Sequence, residues 1–253
     1  SPFLASSLIN MYAKCGVLAK AQKVLDELPF GNVYSFNALI AGYVHHGHFH
    51  EAFNCFQRMQ NEGLSLDAIT FISMLKACSK ARILTKGKQI HGGIVLSGLL
   101  DKDILLGTAL IDMYARCGEF AKAEQVLEEL PVRDVVSWSA LIGGYVRNGK
   151  AHEALCCFEK MQCEGLSPDV VTFVCLLKAC GTIGDVEMGK KVHNEINTMG
   201  LLEQNIVLGN SLVDVYVRCG VLGKAQEILK ELLIRDVVSW NALISGYSHQ
   251  NQW

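Results

Sequence analysis

Three cysteines recur on a fixed spacing. MYAKCG (11–16), MYARCG (113–118) and VYVRCG (215–220) carry Cys15, Cys117 and Cys219, each 102 residues after the last. A thiolate can attack a substrate or ligate a metal, but a zinc site needs several ligands converging on one point. The three turns belong to separate copies of one repeat, so packing of a small apolar side chain beneath each turn is the expectation. Cys55/Cys157 and Cys78/Cys180 keep the 102-residue spacing, whereas Cys156, Cys163 and Cys175 have no counterpart. His45, His46, His48 and His50 form HHGHFH, a weak metal tract whose counterpart RNGKAH keeps only His152. An exposed turn is expected there. His91 and His193 recur in GK-x-x-H, where helix packing is expected. His193-Asn194-Glu195 supplies the H-x-E half of a zinc deaminase signature, without the P-C-x-x-C half. Neither G-x-x-x-x-G-K-[ST] nor G-x-G-x-x-G occurs. No catalytic residue, metal ligand or cofactor is assigned, and no enzymatic activity is expected within these residues.

The elements that hold these residues follow the same period. LINMYAKCG (8–16) becomes LIDMYARCG (110–118) and LVDVYVRCG (212–220). VYSFNALIAGYV (33–44) becomes VVSWSALIGGYV (135–146) and VVSWNALISGYS (237–248). ITFISMLKAC (69–78) becomes VTFVCLLKAC (171–180). Each long period divides into three motifs, giving 2–32, 33–67, 68–103, 104–134, 135–169, 170–205, 206–236 and a truncated 237–253. Each motif carries two helix-period apolar stripes. In the first, Leu8, Ile9, Met11 and Tyr12 precede the breaker Gly16. Leu18, Ala21, Val24, Leu25 and Leu28 follow it, and Pro29 closes the motif. A lone helical hairpin cannot bury both stripes, but stacked hairpins can. The expected fold is all-α: an α-solenoid, a right-handed superhelix of stacked helix-turn-helix repeats forming one array over 1–253. The last motif stops after one helix, with Asn251 at the turn position, so a fragment of a longer array is expected.

Composition agrees with this fold. Half of the 253 residues are hydrophobic and only four are proline, which permits many helices around a core. No apolar run approaches the roughly 18 residues needed to span a bilayer, and residues 1–30 lack the order of a signal peptide. Ten cysteines in a long, well-patterned chain point to free thiols in a reducing compartment. A net charge of −2 argues against a generally basic nucleic-acid coat but leaves room for a local stripe.

Inside the apolar frame, two positions per motif stay polar. The last residues are Asn32, Asp67, Asp103, Asp134, Asp169, Asn205 and Asp236. Helix N-capping accounts for them. The fifth residues are Ser6, Asn37, Ile72, Thr108, Ser139, Val174, Asn210 and Asn241. Capping fits these poorly, because they lie one turn inside the first helix.

These motifs resemble the pentatricopeptide repeat family over the whole chain. Its marks are VVSWNALI-x-GY, MYAKCG, EAL-x-x-F-x-x-M-x-x-EG-x-x-PD, and LKAC with GK-x-(I/V)-H. The alternating lengths of 31, 35 and 36 residues are similar to the plant subclass built of short, standard and long motifs. Departures are Leu66 for the proline at Pro168, Leu233 for Pro29/Pro131, and Arg82 for Gly184. The resemblance implies single-stranded RNA as partner, in a mitochondrion or chloroplast, at about one base per repeat. It implies that the fifth and last residues face the base edge, and that the second residues Tyr34, Val136, Val207 and Val238 clamp its faces. The mixed motif lengths imply site recognition for C-to-U editing, with organelle editing proteins as partners. Splicing, stability or translation roles, or a protein-binding scaffold, are the alternatives.

The chemistry of the two positions gives a code. Asp only accepts hydrogen bonds, which suits the imino N–H of U or G; Asn also donates, which suits A or C. A bulky fifth Asn leaves room for a pyrimidine, and a small Ser or Thr for a purine. Ser6/Asn32 then reads A, and Asn37/Asp67 reads U. Thr108/Asp134 and Ser139/Asp169 read G, Asn210/Asp236 reads U, and Asn241 reads a pyrimidine. Ile72 and Val174 offer no polar readout. With the polarity implied by the resemblance, the expected target is 5′-A-U-x-G-G-x-U-(U/C)-3′.

Overall fold

A computed structural model describes residues 2–28, 31–100, 103–203 and 205–250. Pro29, Asn251 and Trp253 lie outside the described residues. All regular structure among the described residues is helical. The chain divides into two compact units, Ser1–Arg133 and Asp134–Trp253.

The first unit holds α1 (Pro2–Lys14), α2 (Leu18–Asp26), α3 (Val33–His45), α4 (Phe49–Asn61), α5 (Ala68–Ala81), α6 (Leu84–Ser97), α7 (Ile104–Arg116) and α8 (Phe120–Glu129). The second holds α9 (Val135–Arg147), α10 (Ala151–Cys163), α11 (Val170–Ile183), α12 (Val186–Thr198), α13 (Ile206–Arg218), α14 (Leu222–Glu231) and α15 (Val237–Gln250). Odd-numbered helices are the first helices of the motifs, even-numbered the second. In the first unit α1 packs on α3, α3 on α5 and α5 on α7; in the second α9 packs on α11, α11 on α13 and α13 on α15. Each second helix packs on its own first helix, and α2, α4, α6, α10, α12 and α14 also touch the next one. Among the described residues, no helix is long and apolar enough to cross a membrane.

Local sequence explains the ends. A residue that can cap stands before most first helices, and its side chain accepts a backbone N–H of the first turn, as Asp67 does from Thr70 at 2.8 Å. Glycines end most helices with positive φ, among them Gly16 at 75° and Gly184 at 73°. Arg82 occupies the same place after α5 at φ 54°, a left-handed conformation that costs a residue with a Cβ.

The apolar stripes form the core unevenly. Leu110, Ile111, Met113 and Tyr114 are buried in α7, as are Leu212, Val213, Val215 and Tyr216 in α13. In α1 only Ile9 of the matching set is buried; Leu8 and Met11 are exposed. The reason is neighbours: α7 and α13 each receive a preceding first helix, α5 and α11, on that face. The second stripe is buried in every copy, through Ala21 and Leu25, Ala123 and Leu127, and Ala225 and Leu229. Each fully buried leucine contributes roughly 1.5–3 kcal/mol.

The glycine of NALI-x-GY permits close stacking of first helices. A Cβ on Gly42 would stand 2.7 Å from Ala13 Cβ, and one on Gly246 2.6 Å from Val217 Cγ1.

Candidate nucleic-acid interface

The capping residues and the fifth residues meet. Asp67 caps α5 through Thr70 N–H, and both of its oxygens also accept from Asn37 Nδ2 at 3.0 Å. Asn37 Oδ1 in turn accepts from Thr70 Oγ1 at 2.6 Å. The amide is therefore held on both sides, and which end is nitrogen follows from this network. In the second unit Asn210 Nδ2 donates to both oxygens of Asp236 at 3.2 Å, and Ser239 Oγ donates to Asn210 Oδ1. The Ser239 backbone N–H chiefly, with the Ser239 and Asn210 side chains, holds the Asp236 carboxyl below its usual range. It stays ionised and acceptor-only at neutral pH.

Pairs with a fifth serine use the same frame. Asn32 Nδ2 donates to Ser6 Oγ at 3.2 Å, and Ser6 Oγ lies 2.7 Å from Ser35 Oγ. Ser139 Oγ donates to Asp169 Oδ1 at 3.4 Å and is hydrogen-bonded to Thr172 Oγ1. Ser6, Asn37 and Ser139 are 4, 6 and 7% exposed, so these side chains are turned into the network rather than out to water. Thr108 stands on α7 in the first unit and Asp134 caps α9 in the second, each within its own unit. Asn241 is exposed on α15.

The long motifs differ at every part of this frame. Their fifth residues are Ile72 and Val174. Their last residues cap an earlier N–H: Asp103 accepts from Leu105 N–H at 2.9 Å, and Asn205 from Val207 N–H at 3.0 Å as well as from Leu208 N–H at 3.3 Å. The cap ψ values are 102° and 97°, against 175° at Asp67 and 177° at Asp169. Where the other motifs place a hydroxyl, these junctions place Leu106 and Leu208, both buried.

In each unit the second residues of the motifs are exposed apolar side chains. Tyr34 and Val238 are each 60% exposed, Val136 51% and Val207 52%. Phe3, Ile69, Leu105 and Val171 occupy the same second position and are exposed too. Sequence reasoning named only four of the eight; the common register would have found the rest. It also missed the hydroxyls at Ser35, Thr70, Thr172 and Ser239, the third residue of each following motif.

Charge is sorted along the same helices. First helices carry Lys14, Lys76, Lys80 and Arg116 against Asp112 in the first unit, and Arg147, Lys178 and Arg218 against Asp214 in the second. A net charge of −2 overall thus coexists with cationic first helices.

The cysteines and histidines are elsewhere. Cys15 is exposed and Cys117 and Cys219 are half-buried, which corrects the expectation of packing under the turn. Cys117 and Cys219 cap the C-termini of their helices, and the inward place one turn end earlier belongs to a small apolar residue such as Ala13 or Ala115. Burial pushes the thiols of Cys55, Cys78 and Cys180 up to about 12, which disfavours the reactive thiolate. His45, His46, His48 and His50 are exposed, and no metal-binding cluster of three His, Cys, Asp or Glu occurs among the described residues. His91 and His193 pack in place, Nδ1 hydrogen-bonded to Tyr114 at 2.8 Å and to Tyr216 at 3.1 Å.

Family models for the PPR repeat match this chain at residues 31–80 and 133–182, and at 4–30, 108–135, 171–201, 210–237 and 238–253. The chain belongs to the PPR repeat family. It is 40% identical over 252 residues to pentatricopeptide repeat-containing protein CRR2, chloroplastic, of Arabidopsis thaliana, covering 97% of this chain and 38% of that protein. It is 37% identical over 249 residues to pentatricopeptide repeat-containing protein At3g09040, mitochondrial, of the same plant, covering 98% of this chain and 24% of the relative. This PPR chain thus spans a quarter to two fifths of those relatives' length. The crystal structure of maize PPR10 superposes on it with a TM-score of 0.79 at 20% identity, over 99% of this chain and 37% of that one. PPR10 in complex with an 18-nt psaJ RNA element gives 0.77 at 20% identity, over 100% and 38%. These likenesses establish the PPR solenoid fold.

Proposed function

We propose that this PPR array binds single-stranded RNA in a sequence-specific way, at about one base per repeat, in a mitochondrion or chloroplast. The observation that carries the reading is the cross-motif pairing of fifth and last residues beside exposed apolar second residues. A planar amide with two protons faces one carboxylate, as at Asn37/Asp67, so one N–H remains for a base, and the carboxylate keeps lone pairs for an imino donor. Apolar side chains at the second positions offer faces on which a base can stack. Cationic first helices suit a phosphate backbone. The relatives named for organelles, and a neighbour of the same fold that holds RNA, support the same reading.

The proposed target is 5′-A-U-x-G-G-x-U-(U/C)-3′, with no base read by Ile72/Asp103 or Val174/Asn205. Pairs at Tyr34, Val136, Val207 and Val238 would clamp neighbouring bases. The alternation of 31-, 35- and 36-residue motifs supports membership of the subclass built of short, standard and long motifs, and a role in marking C-to-U editing sites with editing proteins as partners. The test is titration of labelled 5′-AUNGGNUU-3′ against a scrambled oligomer and a duplex. Tight binding to the first alone is expected, weakening with added salt. Equal or absent binding to all three overturns the reading and leaves a protein-binding scaffold.

A further inference from the structure

The third residue of a motif's first helix has no role in the proposed two-residue code, yet its hydroxyl closes the network at every reading pair contained within one unit. Ser35 meets Ser6, Thr70 meets Asn37, Thr172 meets Ser139, and Ser239 meets Asn210. These contacts join residues of consecutive motifs, from one first helix to the next. Thr70 shows the geometry best. Its backbone N–H binds Asp67 Oδ1 at 2.8 Å, and its Oγ1 lies 2.7 Å from the same oxygen and 2.6 Å from Asn37 Oδ1.

We infer that this hydroxyl is a positioning residue for base readout: it holds the fifth side chain so that its remaining N–H, and the neighbouring carboxylate, meet the base edge in one geometry. The argument is one of satisfaction. Asn37 is 6% exposed, so its Oδ1 has little water to turn to, and the one Thr70 hydroxyl proton, shared between Asn37 Oδ1 and Asp67 Oδ1, supplies the donor it needs. With Oδ1 held by the hydroxyl and Nδ2 by Asp67, neither a flip nor a swing of the amide is free of loss. Without the hydroxyl, one side of the amide is unheld, and Oδ1 gains by turning toward any donor, including the exocyclic amine of the wrong pyrimidine, C.

The non-reading junctions supply the internal control. Where the fifth residue is Ile72 or Val174, the third residue of the next motif is Leu106 or Leu208; Asp103 caps the earlier N–H of Leu105, and Asn205 divides its cap between Val207 and Leu208 N–H. Hydroxyl and polar fifth residue are present together or absent together at all six junctions contained within a unit. The inference rests on the RNA reading proposed above.

The test uses the full 253-residue chain and RNA oligomers that vary one base at a time. Thr70→Val keeps the shape and the backbone N–H that Asp67 caps, but removes the hydroxyl. The expected result is a loss of U-over-C preference at the Asn37/Asp67 base by roughly five- to tenfold, the worth of about one hydrogen bond. Preference at the Asn210/Asp236 base stays as in the unaltered chain, and Thr70→Ser restores selectivity. Helical content measured by circular dichroism reports that the variant is folded. Undiminished U-over-C preference in Thr70→Val overturns the inference while leaving the two-residue code intact. Loss of preference spread equally over all positions overturns it as well, because that marks a general structural effect. If the unaltered chain itself shows no preference at either base, the proposed function falls and this inference with it.

Discussion

Asp67 has two separable jobs, and two substitutions separate them. Its Oδ1 caps α5 by accepting Thr70 N–H at 2.8 Å, and its two oxygens satisfy the Asn37 amide at 3.0 Å. Asp67→Ala removes both. Loss of the cap costs about 1 kcal/mol. The stranded Asn37 donor adds about 1–2 kcal/mol, toward the low end of the range for an unsatisfied buried group because water can enter where the carboxylate was. The total, about 2–3 kcal/mol, lowers the melting temperature by roughly 4–12 °C for a unit of this size. Asp67→Asn keeps the cap, since Asn and Asp are equal N-caps. Its new NH2 faces the Asn37 NH2, and a flip of Asn37 cures this: Oδ1 then accepts from residue 67, and Nδ2 donates to Thr70 Oγ1, which can accept as well as donate. Stability should therefore stay within about 0.5 kcal/mol of the parent. The edge proposed to meet the base changes from acceptor to donor, so preference should move from U toward C by about 1–3 kcal/mol. Thermal melts followed by circular dichroism, and competition binding with U- and C-containing oligomers, measure the two effects. Equal destabilisation by Ala and Asn would refute the capping argument, and an Asp67→Asn variant that still prefers U would refute the pairing argument.

Other perturbations test other parts of the molecule. Arg82 sits at φ 54° where the matching repeat has Gly184, and it is exposed; Arg82→Gly should stabilise by about 0.5–1 kcal/mol, strain relief less the entropy of glycine, seen as a higher urea midpoint. Gly42→Ala should destabilise by about 1–3 kcal/mol, because the new Cβ falls 2.7 Å from Ala13 Cβ and α1 must move off α3; unchanged urea unfolding would show that the stack tolerates the methyl. Burial lowers His91 below its ordinary 6.5, against a raising influence of Glu129 and a lowering one of Lys122; burial with Lys224 does the same to His193, against Glu231. The unfolded chain then binds more protons just below pH 6.5, so stability is full above that pH and falls as pH drops toward the folded-state values. Replacing both histidines by glutamine should flatten this part of a stability–pH curve, and an unaltered slope would assign the dependence to other groups.

Much of this molecule was legible because its repeat is strong. The 102-residue period repeats the turn glycines, and among the described residues Gly16, Gly118 and Gly220 have positive φ. Burial was less legible, since a stripe is covered only where a neighbour exists: MYARC receives α5 and VYVRC receives α11 on that face, whereas MYAKC meets only the following helix, α3, among the described first helices. The cysteines misled for a related reason. A cysteine beside a turn glycine looks like core packing, but the C-cap position points its side chain to the rim, as at Cys117 and Cys219. The polar pairs could be proposed from register alone. Their link to the third residue could not, because Ser, Thr and Leu at one position look like ordinary variation until the hydrogen bonds show what the hydroxyl touches.

The dual use of the last residue bears on how such an array can vary. That residue must cap the next first helix, so its alphabet is limited to side chains that accept a backbone N–H, chiefly Asp, Asn, Ser and Thr. Within that set Asp and Asn are equal as caps and opposite as hydrogen-bonding edges once an amide replaces a carboxylate. The position can therefore change what it presents to a ligand at almost no cost in folding. The fifth residue is under a different constraint: at the four polar pairs contained within a unit it is enclosed by the last residue and by the third-residue hydroxyl, so it can change only to side chains that this enclosure can satisfy. Asn and Ser fill that role at Asn37 and Ser139, and an apolar residue appears there only where the enclosure is itself dismantled, as at Ile72 beside Leu106 and Val174 beside Leu208. Variation at the two positions is thus coupled through packing as well as through any ligand.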